Sequence, residues 1–124
     1  LFPELYLVPG VFLHLPRRRV RAPDLMLVAD VPPDGHVRTS PLLVIEVLSR
    51  STGAEDTIRK SMEYAAGGVG QYWIVDPELR TIDVWRLVDD AWVLDARLDD
   101  VEAKAEVELA GVTVPPDLCQ ILRG

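Results

Sequence analysis

One cysteine in 124 residues, Cys119, excludes an intrachain disulfide, and without an HxxC or CxxC companion it offers neither a zinc knot nor a redox pair. Histidine is almost as scarce. His14 and His36 have no partners at metal-ligand spacing and read as a strand residue and a loop residue. No apolar run approaches the roughly 18 residues of a membrane span, and no signal-peptide pattern is present, so a soluble protein of a reducing, cytoplasmic compartment is expected. GGVG at 67–70 lacks the GxxxxGK[ST] or GxGxxG pattern of a phosphate loop, and Ser49 and Ser51 lack the strand–turn–helix elbow of a hydrolase nucleophile. No repeat, low-complexity tract or linker divides the chain, so residues 1–124 are read as one domain. Its first residue is Leu1 rather than Met, which leads us to expect a further N-terminal segment.

Apolar residues, at 48%, suffice for a packed core. Charge is uneven. Residues 89–108 carry eight acidic side chains against Arg97 and Lys104, which is −6 of the total −7. Residues 1–21 carry four arginines against Glu4, which is +3. Bulk charge disfavours nucleic acid, because such binding rests on neutralising phosphates. The run RRRVR at 17–21 is the local exception: it reads as a solvated turn or as one basic edge.

The chain divides into short elements. VFLHL (11–15) alternates as a strand that Pro16 ends, LMLVA (25–29) is a second strand, and VPPDGH is a turn-rich loop. Residues 42–48 form the strongest strand. A helix follows, with Thr52 and Glu55 as a capping box, Ile58, Met62 and Ala65 as its apolar stripe, and Gly67-Gly68 as its stop. QYWIV (71–75), TIDVWRL (81–87) and AWVLDARL (91–98) are strands joined by turns at 76–80 and 89–90, and GVTV supplies a last strand. The expected class is α/β, a mixed sheet with flanking helices.

Within LLVIEV (42–47) five of six residues are apolar, and the exception is Glu46. An unpaired carboxylate in such a strand costs several kcal/mol or shifts its pKa. Three readings remain open for it: a buried salt bridge with an arginine, a register that exposes its face, or a metal ligand at a central strand end. Asp24, in RAPDLML, is either a strand-initiating residue after Pro23 or a second ligand for one hard cation. Asp56 and Lys60 stand at i and i+4 and can pair. Helical periodicity places Lys60 opposite the Ile58/Met62/Ala65 stripe, which makes it a solvated lysine. Tyr64 follows one turn later, and Tyr72 and Trp73 read as core rather than as stacking platforms.

Taken in order, APDLMLV, LLVIEVLSRST and EDTIRKSMEYAAGGVGQYWIVDPE resemble the Uma-type putative restriction endonucleases of the PD-(D/E)XK nuclease superfamily. The resemblance covers residues 20–87 well and the closing GVTV loosely. It implies a restriction-endonuclease-like core and a Mg²⁺ site, with Mn²⁺ as a substitute. Asp24 matches the aspartate of PD, Glu46 the acidic residue of (D/E)XK, and the Val47 carbonyl a further metal ligand. The lysine expected two residues after the glutamate is Leu48 here, and Lys60 is its implied replacement from the following helix. The likeness therefore reverses the periodicity reading of Lys60.

The activity implied is phosphodiester hydrolysis, with Asp24, Glu46 and Lys60 catalytic and Asp56 and Tyr64 supporting. Arg17, Arg18, Arg19, Arg21 and Arg50 are the expected contacts to nucleic acid, most simply DNA. No membrane partner is expected, and a homodimer is. The alternative is a non-catalytic dimerising or partner-binding module of the same fold, which Leu48 and the acidic segment favour.

Overall fold

Two short apolar runs, LMLV and LVIEV, and the longer QYWIVD lie side by side at the centre of a six-stranded sheet. The structure, a computed structural model, describes residues 5–48, 54–98, 107–109 and 112–114. Strands β1 (Tyr6–Pro9), β4 (Leu25–Val28), β6 (Leu43–Val47), β7 (Gln71–Asp76), β8 (Thr81–Val88) and β9 (Ala91–Leu98) follow one another across it in that order. All pairs are antiparallel except β6–β7, which the helix α1 (Ala54–Ala66) joins as a crossover. A second sheet holds β3 (Arg19–Arg21), β2 (Phe12–Leu15) and β5 (His36–Val37) in that order, and β10 (Val107–Leu109) pairs with β11 (Val112–Val114). The α/β class and mixed sheet are as expected, and α1 is the one α-helix among the described residues. It is not long and apolar enough to cross a membrane.

The middle strands of this sheet are buried on both faces, which is why β4 and β6 read as near-continuous apolar runs. On one face Leu25, Leu27, Leu43, Ile45, Trp73, Val75, Ile82 and Val84 form a cluster. On the other, Met26, Val44 and Tyr72 pack with Tyr64 of α1 and with Leu13, Leu15 and Val37 of the second sheet. Tyr72 and Trp73 are thus core, on opposite faces. Glu46 lies on the helix-facing side, paired across β6–β7 with Ile74.

Turn chemistry sets the junctions. Helix α1 ends in a Schellman motif: the Gly68 N–H donates to Ala65 and the Val69 N–H to Tyr64, with Gly68 at φ +74°. Gly70 then lets the chain pass Leu42, whose carbonyl oxygen a Cβ there would meet at 2.9 Å. The β8–β9 hairpin turns on Asp89 and Asp90, both at positive φ as a tight primed turn requires. RRRVR is not simply a solvated turn. Arg17 and Arg18 sit at the tip of the β2–β3 hairpin with φ of 62° and 58°, and residues 19–21 are strand.

The helix faces a different way from its periodicity. Ile58 and Met62, expected to be buried, are 61% and 68% exposed, whereas Glu63 and Tyr64 are buried. The inward face holds polar groups that find partners there, and the Tyr64 ring meets Tyr72 edge-on with centroids 5.2 Å apart. His36 is likewise not a loop residue. It opens β5, and its Nδ1 lies 2.8 Å from Nε2 of His14 across the parallel β2–β5 pair. The expected capping box of Thr52 and Glu55 lies outside the described residues and side chains, as do Arg50, Cys119 and the lone serines 49 and 51.

Candidate active site

β4 begins at Leu25, so Asp24, following Pro23, immediately precedes that strand and lies beside the last residues of β6. There the two acidic residues interlock. The Asp24 N–H donates to Glu46 Oε1 at 3.1 Å, and the Val47 N–H donates to Asp24 Oδ2 at 2.7 Å. In an extended strand a residue's N–H and C=O leave on the same side. The Val47 carbonyl therefore leaves β6 on the edge that faces β4, and Val47 lines the same cleft as Asp24.

Glu46 is 6% exposed, and its charge is met from the helix. Lys60 Nζ lies 2.9 Å from Glu46 Oε2 and 3.4 Å from Asp56 Oδ2, and the Tyr64 hydroxyl donates to the same Glu46 oxygen at 3.3 Å. The salt-bridge reading of Glu46 thus holds with a lysine in place of an arginine, and Lys60 is three-quarters buried rather than solvated. Leu48 continues the strand ladder, donating its N–H to the Val75 carbonyl.

Burial works to lower the Lys60 pKa, but the hydrogen bond and charge of Glu46, aided by Asp56, outweigh it and hold the ammonium above its ordinary range. Burial first, and then the Glu46 charge, push the Tyr64 phenol well above its usual range, so it stays a protonated donor. The two carboxylates and Lys60 open onto a polar cleft of about 180 Å³, lined by Asp24, Glu46, Val47 and Lys60 together with Thr57 and Tyr72.

Two carboxylates and a carbonyl form a hard-oxygen donor set, the chemistry Mg²⁺ selects when it keeps several waters. An ionised carboxylate has about four lone-pair sites, so Asp24 retains acceptor capacity beyond its backbone bond, and Glu46 retains about one site beside those met by the Asp24 N–H, Lys60 and Tyr64. The residues therefore fit such a cation. Among the described residues no group of three or more His, Cys, Asp or Glu is arranged to hold a metal, so any ion here would rest on this smaller set.

The arginines separate into distinct environments. Arg17 and Arg18 are exposed at the hairpin tip. Arg21 is engaged with Glu63, through Nη2–Oε2 at 2.6 Å and Nε–Oε1 at 3.1 Å, and Arg19 approaches the same carboxylate at 3.5 Å. The Arg21 hydrogen bond holds the Glu63 carboxyl below its usual range. Glu63 was not singled out from the sequence. It clamps α1 to β3, and nothing in its local pattern signals a partner 42 residues away.

No curated protein matches the chain. Among solved structures, one that resembles it is the crystal structure of a putative nuclease belonging to DUF820 from Anabaena variabilis ATCC 29413. Identity is 16% at a TM-score of 0.69, over 97% of this chain and 70% of that one, so the two share a fold. The Uma2 family model, described as "Putative restriction endonuclease", matches residues 3–117. With nearly its whole length matched, the chain belongs to the Uma2 family.

Proposed function

We propose that the chain is a metal-dependent nuclease that hydrolyses phosphodiester bonds, with DNA as substrate and Mg²⁺, or Mn²⁺ in its place, as cofactor. Family membership supports the reaction class, and one observation carries the site: Lys60 reaches within 2.9 Å of Glu46 beside Asp24, at the end of the central strand. Asp24, Glu46 and the Val47 carbonyl would hold the cation. When bound, it lowers the pKa of water and offsets charge developing on the phosphoryl group.

The protein's own groups divide the remaining work. Lys60, held charged by Glu46 and Asp56, acts as a fixed cation that positions a water or stabilises the transition-state charge. Held as an ammonium between these two carboxylates, it has no free lone pair with which to act as a general base. Tyr64 donates to Glu46 and so fixes the carboxylate's orientation. Arg17 and Arg18 at the hairpin tip, and Arg19 next to them, are the proposed phosphate contacts, because β3 runs directly from that tip toward Asp24. Arg21 serves instead as the strut that holds α1 through Glu63.

Plasmid nicking in Mg²⁺ tests this assignment. Lys60→Ala should lower the rate by about 10²–10³-fold, the usual cost of removing a preorganised charge stabiliser. The circular dichroism spectrum should stay unchanged. Nicking at the wild-type rate would remove Lys60 from the mechanism.

A further inference from the structure

Beside the polar cleft lies a second concavity of opposite character. It measures about 220 Å³ and is walled by Ile58, Tyr72, Ile74, Trp85 and Trp92. Thr57 and Tyr72 belong to both, so the two cavities share a wall. Trp92 is fixed in place: its indole N–H donates to the Ser61 carbonyl of α1 at 2.8 Å, and its ring lies 5.9 Å from Tyr72. Unlike Trp73, which is sealed in the core, Trp85 and Trp92 are only partly buried and flank open space. The exposed Ile58 forms the rim.

We infer that this groove is a nucleobase subsite, which takes one unpaired base of the strand whose phosphodiester lies in the adjoining cleft. The inference rests on the nuclease reading and adds a substrate class to it. Aromatic side chains bind bases of any sequence through their π-faces. A cavity of this size next to a phosphodiester site takes a planar heterocycle and excludes a base pair. Within a duplex the base stays in its stack, so the substrate is a single strand, a frayed end or an extruded nucleotide. Charge agrees with this. A chain of net charge −7 is poorly suited to tracking a long phosphate backbone, and stacking supplies affinity with few phosphate contacts.

The test compares short oligothymidylate with the same oligonucleotide carrying abasic residues, bound in EDTA and followed by anisotropy and tryptophan fluorescence. Plasmid nicking in Mg²⁺ is measured in parallel. The wild type should bind the base-bearing strand with tryptophan quenching and prefer it over the abasic strand by about fivefold or more, the scale of one stacked base. Ile58→Glu, at an exposed position that does not support the fold, and Trp92→Leu should both erase that preference. Equal binding of the two strands by the wild type, or full preference retained in Ile58→Glu, overturns the subsite. If nicking persists in that case, only the subsite falls. If neither nicking nor binding occurs, the nuclease reading falls with it.

Discussion

Replacing Glu63 by Gln removes one charge of the clamp that sets α1, and hence Lys60 and Tyr64, against the sheet. Breaking one side of a fully buried ion pair costs about 3–5 kcal/mol, while exposed pairs are worth about 0–1 kcal/mol. The Glu63 side chain is 6% exposed, but Arg21 keeps 27% of its surface, so solvent screens the pair in part. An intermediate loss of about 2 kcal/mol is expected, which for a domain of this size lowers Tm by roughly 8 °C. Urea unfolding of the wild type, Glu63→Gln, Arg21→Met and the double variant isolates the coupling, because the cycle cancels effects outside the pair. The pH dependence has a definite sign. The Arg21 hydrogen bond holds the folded Glu63 pKa below the ordinary 4.5, so its contribution is complete above that value and disappears as pH falls through the folded pKa. Wild type and Glu63→Gln should therefore converge in stability in acid. A coupling energy below about 0.5 kcal/mol, within the ordinary additivity error, or a difference that persists unchanged in acid would refute the clamp.

Two further outcomes follow from the site and from the helix orientation. The Lys60 pKa lies above the ordinary 10.5, so its stabilising pair with Glu46 is complete below that value and lost only as pH rises through the folded pKa; the pH–rate profile of nicking should show no limb from this lysine near neutrality, and a Lys60-dependent limb there would contradict its role as a fixed cation. Met62→Lys, at a position 68% exposed, should change stability by no more than about 0.5 kcal/mol in urea unfolding, whereas a loss of about 2 kcal/mol or more would restore the buried stripe that periodicity suggests.

The central strands were legible because strands buried on both faces leave near-continuous apolar runs. LMLV, LVIEV and QYWIVD stand out for that reason, and the Gly67-Gly68 stop marks the Schellman end of α1. The strands that escaped notice are short edge or hairpin pieces whose residues carry no alternation signal. β3 consists of two arginines around Val20, and its turn uses Arg17 and Arg18 at positive φ where Asn or Gly would have announced it. β1 and the two-residue β5 are equally brief. Asp24 and Glu46 could be suspected from pattern alone, as carboxylates set at or within apolar runs. Lys60 could not. Amphipathic analysis assumes that the buried face is the apolar one, and in α1 the inward face carries Lys60, Glu63 and Tyr64, each matched to a partner on a strand. Only the resemblance to a nuclease family pointed Lys60 inward, and the pairing of Arg21 with Glu63 needed the tertiary structure.

Calorimetry with Mn²⁺ on the wild type and on Glu46→Gln reads the cation site at Asp24 and Glu46 without requiring turnover. The wild type should give a binding heat that is lost or greatly reduced in Glu46→Gln. Equal heats for the two proteins, or none for the wild type, would contradict a metal site at Asp24 and Glu46.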